Sequence, residues 1–124
     1  MRVQKKITAL IPLPLYYNPD PSEKRRPVED EKFVRTAEEI AAMFGGGTLY
    51  RFEQESPRGF WWNAGIVSDN VLALLEVDFP DTAANRAKLI SYARDVLKER
   101  FEQDAIYVKF VGPIESLVVE DEEI

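Results

Sequence analysis

The sequence predicts an α+β domain with a ferredoxin-like β-α-β-β-α-β sandwich: a four-stranded antiparallel sheet with two helices on one face. Three observations carry this reading. The apolar run 70–79, ended by Pro80, places Val71, Ala73, Leu75, Val77 and Phe79 on one side of a strand. Its other side starts apolar with Leu72 and Leu74 and ends in Glu76 and Asp78. Such a strand belongs in the middle of a sheet that is covered fully on one face and partly on the other. Two segments of helical spacing, 30–44 and 82–101, flank that strand, and the order strand, helix, strand, strand, helix, strand is the split β-α-β pattern.

Taken in order, residues 5–17 alternate imperfectly. Ile7, Ala9, Ile11 and Leu13 share one face, Thr8 and Leu10 the other, and Pro12 and Pro14 put the strand's end at a sheet rim. Residues 18–27, with three prolines and the run Glu23-Lys24-Arg25-Arg26, read as a loop. In the first helix Phe33, Ala37, Ile40, Ala41 and Phe44 form the apolar stripe, acidic residues sit at the positive end, and Gly45-Gly46-Gly47 stops it. Residues 48–54 form a second strand, with Tyr50 and Phe52 toward the helices and Leu49, Arg51 and Glu53 away from them. Residues 56–59 are a turn, Phe60-Trp61-Trp62 a short bulky stretch, and 63–69 a second connection before the central strand. Asp81 or Thr82 caps the second helix, whose buried stripe is Leu89, Ala93, Val96, Leu97 and Phe101, with Ile90 beside it. The last strand is 104–111, with Ile106, Val108 and Phe110 toward the helices; Gly112-Pro113 breaks it. Residues 1–113 are thus one domain, and 114–124 a C-terminal extension that adds a short strand at 114–119 and ends acidic.

Composition excludes several chemistries. The chain has no cysteine and no histidine, so it offers no disulfide, no thiolate nucleophile and no Ser-His-Asp or Cys-His site of its own. A net charge of −6 argues against nucleic acid as a partner. No segment reaches the roughly 18 apolar residues of a membrane helix, and the opening Met-Arg-Val-Gln-Lys-Lys does not lead into a signal peptide, so a cytoplasmic location and no membrane partner are expected. No cofactor, metal site or catalytic set is read from the chain.

If each strand turns its more apolar side to the helices, the other sheet face carries Thr8, Leu10, Leu49, Arg51, Leu72, Leu74, Glu76, Tyr107, Lys109 and Val111. That is more apolar surface than a solitary domain leaves bare. The covers on offer are a second copy, the chain's own tail from Ile114, the Trp61-Trp62 stretch, or a ligand. A homodimer through Leu10, Leu49, Leu72, Leu74 and Val111 is the expected function-bearing feature, with another protein as the other possible partner. The alternative is a small enzyme or ligand-binding protein of the dimeric α+β barrel type, its pocket walled by Arg51, Trp61, Trp62, Glu76 and Tyr107.

Each sharper motif has a plainer reading. Gly45-Gly46-Gly47 follows a helix and lacks a Lys-Ser/Thr pair, which favours a helix stop over a phosphate cradle. Arg58-Gly59-Phe60-Trp61-Trp62-Asn63 could wall a planar or anionic ligand, but large aromatics usually plug cores. Glu76 and Asp78, with Asp69 or Asp81, could form a hard-metal or acid/base cluster; a solvated strand end paired with Lys109 or Arg51 is the plainer reading. Glu23-Lys24-Arg25-Arg26 has acidic flanks and reads as a solvated loop. Tyr107 and Lys109 on an open sheet suggest an RNA-recognition module, whose aromatic motifs are absent here.

The series Phe44-Gly45-Gly46-Gly47-Thr48, Arg58-Gly59-Phe60-Trp61, Gly65-Ile66-Val67 and Arg100-Phe101-Glu102-Gln103, continuing to Val108, resembles a small bacterial family of unknown function. The resemblance covers roughly residues 30–110, through short motifs of low specificity. The acidic tail and the prolines of the first strand lie outside the pattern. The resemblance implies a ferredoxin-like fold and carries over no activity and no catalytic residue.

Overall fold

The computed structural model describes residues 2–52, 56–63 and 66–121. Its elements are β1 (Arg2–Pro14), α1 (Asp30–Phe44), β2 (Thr48–Tyr50), β3 (Arg58–Asn63), β4 (Ile66–Phe79), α2 (Ala83–Tyr92), a π turn (Ala93–Leu97), α3 (Lys98–Arg100) and β5 (Lys109–Val118). The sheet order is β2-β4-β1-β5, with β3 on β4 and every pairing antiparallel. This is the ferredoxin-like α+β order, with the two most apolar strands, β1 and β4, in the centre.

Alternation along those strands builds the core. Ile7, Ala9, Ile11 and Leu13 of β1 and Ala73, Leu75, Val77 and Phe79 of β4 are all buried. The helical layer answers with Phe33 and Ile40 of α1 and with Leu89, Tyr92, Ala93, Leu97 and Phe101. Rings pack within and between the layers: Phe33 of α1 lies 5.3 Å from Phe101 at the end of α3, Phe110 meets Phe79 edge-on at 6.4 Å within the sheet, and Phe44 joins α1 to the sheet, 5.0 Å from Phe79. Burying a large side chain of this kind contributes on the order of 2 kcal/mol.

The structure departs from the sequence expectations at five places. The sheet has five strands: 63–69 is not a connection, because β3 and β4 pair from Asn63–Ile66 to Arg58–Val71 as a hairpin. Polar Ser68, Asp69 and Asn70 interrupt the apolar pattern there, but the backbone ladder does not depend on side-chain polarity. β2 is only Thr48–Tyr50. The last strand starts at Lys109; before it Ile106 and Val108 pack against the core while the chain climbs back from the helix end. Gly112-Pro113 does not end that strand, since the register shifts between Lys6 and Thr8 and pairing resumes at Lys6–Ile114 and runs to Arg2–Val118. In α1, Ala37 and Ala41 are exposed and Thr36 is buried. Thr36 is accommodated because its hydroxyl donates to the Lys32 carbonyl at 2.7 Å.

Candidate functional site

The sheet face turned away from the helices is built row by row from the register. One row holds Thr48, Glu76, Leu10 and Lys109; the next rows hold Tyr50, Leu74 and Pro12 on one side and Asp78, Thr8 and Val111 on the other. Leu72 lies beyond Leu74, opposite Pro14. Leu10, Leu72 and Leu74 are half-buried and Val111 is 43% exposed. The polar members pair along the face: the Thr8 hydroxyl donates to Asp78 Oδ1 at 2.6 Å, and the Tyr50 hydroxyl reaches Glu76 Oε2 at 3.3 Å. The Glu76 charge raises the Tyr50 phenol above its ordinary value.

Two assignments of the alternation are corrected. Leu49 pairs with Leu75 and packs on the core, so it stands on the helix side. Arg51 also serves that side: its guanidinium meets Asp30 Oδ1 at 2.7 Å and lies 4.4 Å from the centre of the Phe33 ring. Tyr50 takes the place on the open face instead. In a strand of three residues aromatic content alone favours the opposite assignment, and the Tyr50 hydroxyl is what lets that ring stand at the surface.

The proposed pocket walls are not brought together. Glu76 is in the middle of the open face, Arg51 on the reverse side, and Tyr107, 66% exposed, precedes β5. Trp61 and Trp62 sit in β3 opposite Ser68 and Val67, with their side chains outside the described residues. The carboxylates do not gather either. Asp78 and Glu76 take Thr8 and Tyr50 as partners in place of Lys109 or Arg51, and Asp81 is engaged by Arg86 at 2.7 Å. The Asp69 side chain lies outside the described residues. Among the described residues no three acidic groups approach one another as metal ligands would.

Two polar clusters escaped the sequence reading. Tyr17 is buried and donates to Glu29 Oε2 while accepting from Lys32 Nζ, with Arg26 4.5 Å and Lys32 4.8 Å from its ring centre. Burial raises the Tyr17 phenol, and the hydrogen bond from it holds the Glu29 carboxyl below the usual range. Under the helices Arg100, 8% exposed, meets Glu39 Oε1 at 2.7 Å and Thr36 Oγ1 at 2.9 Å, and Tyr92 donates to Glu39 at 2.8 Å. These links join residues 12 to 64 positions apart, which no local spacing reveals.

Two depressions lie on the surface of the described residues. One of about 220 Å³ is lined by Ile90, Ala93, Arg94, Lys98, Ile106 and Val108. The other, of about 260 Å³, is lined by Tyr16, Arg25, Arg58, Asn70 and Val71. No helix among the described residues is long and apolar enough to cross a membrane.

No protein-family model matches the chain, and no curated protein matches it in sequence. Among solved structures the chain is similar to the divalent ion tolerance protein CutA1 from Ehrlichia chaffeensis, with 9% sequence identity and a TM-score of 0.47. That alignment covers 96% of this chain and 89% of that one.

Proposed function

We propose that this protein acts by assembly: its open sheet face is covered by the same face of a second copy, and the homodimer is the working unit. The carrying observation is the band of Leu10, Pro12, Leu72, Leu74 and Val111 on the face the helices do not reach. One cover from within the chain is engaged elsewhere: the tail from Ile114 runs in the plane of the sheet as β5. Charge supports a second copy as the occupant. Lys6 and Lys109 stand on β1 and β5, Glu76 and Asp78 on β4. A two-fold axis along the strands lays the β1-β5 half of one copy over the β4-β2 half of the other, so unlike charges approach. A cytoplasmic setting goes with this proposal.

The test is the mass in solution by light scattering across a dilution series. A dimer that Leu74→Asp converts to monomer, with circular dichroism unchanged, supports the reading. Val111→Glu, at a more exposed position, repeats the test where Leu74→Asp disturbs the fold. A wild-type chain that stays monomeric at high micromolar concentration overturns it. The alternative, a pocket over the sheet in a dimeric α+β barrel, has less support because Arg51 faces α1 and Tyr107 precedes β5.

A further inference from the structure

The depression lined by Ile90, Ala93, Arg94, Lys98, Ile106 and Val108 lies where α2 and the π turn run beside the free edge of the sheet. β5 ends the strand order, and among the described residues only β1 pairs with it. The register fixes which backbone groups are left over. Leu15 N–H donates to Val71 O at 3.1 Å, which turns the odd-numbered residues of β1 toward β4, and Thr8 and Leu10 toward β5. Their partners Val111 and Lys109 therefore use their backbone groups on β1. Those of Phe110, and of Val108 just before the strand, point outward from the edge. Sheet edges are commonly guarded by proline or charge. Pro113 guards the far part of β5; over 106–111 the only guard is Lys109, which stands on the opposite sheet face.

The helical wall keeps step with this edge. Arg86 lies over the Phe110 ring at 4.7 Å, and Ile90 and Lys98 share the depression with Val108 and Ile106. Four residues of helix advance about 6 Å and two residues of strand about 7 Å. A chain laid along β5 thus offers every second side chain to successive members of the stripe Arg86, Ile90, Arg94, Lys98. The groove is reached from solvent, since Ile90 is 45% exposed and Lys98 is exposed. Ile90, Ala93, Ile106 and Val108 make it aliphatic. The cation it offers is Lys98: Arg86 and Arg94 are held by Asp81 and Asp95, whereas Lys98 takes no carboxylate partner among the described residues.

Charge chooses the occupant. Residues 81–100 carry five cations against three carboxylates, in a chain of net charge −6. A second copy joined edge to edge would set this stripe against its own like, whereas a segment bearing carboxylates meets it favourably. We infer that the groove beside β5 binds an extended acidic peptide of a partner protein, which joins the sheet as a further strand. The peptide backbone bonds to Val108 and Phe110, an aliphatic side chain fills the depression of about 220 Å³, and a carboxylate two residues along meets Lys98. This surface is separate from the open face and does not depend on the dimer.

The experiment is an amide-resonance titration of the full chain, at constant ionic strength, with the blocked peptide Thr-Val-Thr-Glu-Thr-Glu, whose valine and glutamates share one strand face. Saturable shifts at Ile90, Lys98, Val108 and Phe110, with binding about tenfold tighter than for the peptide with lysine in place of glutamate, support the inference. The fully N-methylated peptide, which keeps the side chains and loses the strand hydrogen bonds, should not bind. Lys98→Glu and Ile90→Ser, both at exposed positions, should each weaken binding about tenfold. Leu74→Asp, which splits the open-face dimer, should leave it unchanged. No saturable shift, equal affinity for the lysine peptide, binding of the methylated peptide, or loss of binding in Leu74→Asp overturns the inference. So does a fall in mass by light scattering when the peptide is added to Leu74→Asp, which would assign the edge to a second copy.

Discussion

Arg100 illustrates how a single side chain can look ordinary in sequence and be structural in space. At the end of a helix it reads as a cation facing the helix dipole, yet it is almost fully buried and ties Glu39 and Thr36 of α1 to Tyr92. The Arg100 hydrogen bond holds the Glu39 carboxyl below its usual range, while burial first, and Glu39 second, push the Tyr92 phenol up to about 12 from 10.0. A phenol that keeps its proton longer folded than unfolded stabilises the fold fully below pH 10.0, and that stability drains away as pH climbs toward 12. The amount is about 2–3 kcal/mol. Tyr92→Phe should therefore cost about 1 kcal/mol at neutral pH, for the lost hydrogen bond, and flatten the alkaline limb of a urea-unfolding series. The limb should not vanish, since burial raises Tyr17 as well. Glu39 governs the opposite limb: its carboxyl is depressed, so its contribution is present above the ordinary carboxylate value and is lost as pH falls below it. Glu39→Gln should shrink the acid loss of stability in the same series.

At the scale of elements the end of α1 was legible and its three glycines are not equivalent. Gly45 takes φ 86 and its N–H closes onto Ala41 O at 2.8 Å, a left-handed cap that a side chain strains. Gly46 has open space, whereas a Cβ on Gly47 would sit 3.1 Å from both Glu76 O and Ile40 Cγ2. Thermal melts should then rank the alanine variants: Gly45→Ala loses about 1 kcal/mol, Gly47→Ala a similar amount unless Ile40 yields, and Gly46→Ala is neutral or slightly stabilising. A ranking with Gly46 worst would contradict this account of the cap. Lys88 adds to the same cap from α2, its ammonium donating to Met43 O at 3.1 Å. The second helix was legible as a stripe and its deformation was not read from it. Leu89, Ala93, Leu97 and Phe101 recur every four residues, and in a regular helix that spacing drifts by roughly 40° each time. The wide turn at Ala93–Leu97, where Lys98 N–H closes on Ala93 O, takes up the drift and keeps all four side chains on the core.

For the whole molecule, strand order and core parity were readable because β1 and β4 each carry one wholly apolar face, Ile7 to Leu13 and Val71 to Phe79, as central strands need. What escaped were features set by pairing alone: the β3-β4 hairpin through polar residues, the sides on which a three-residue strand places Leu49 and Tyr50, and the passage of β5 through Gly112-Pro113. These depend on which backbone meets which, and local composition does not encode it. The same register now supports a prediction about assembly. If the β1-β5 half of one copy lies over the β4-β2 half of another, Lys109 of each approaches the partner's carboxylate strand. Attraction across such a rim is screened within about 10 Å at 0.1 M salt, while burial of the leucine band is not. Raising salt should therefore loosen the dimer modestly, by less than about tenfold, without abolishing it. Lys109→Glu should weaken it further at low salt and show almost no difference from wild type at high salt. Strengthening of the dimer by Lys109→Glu would place like charges in contact and rule out the two-fold along the strands, leaving the apolar face to a different packing.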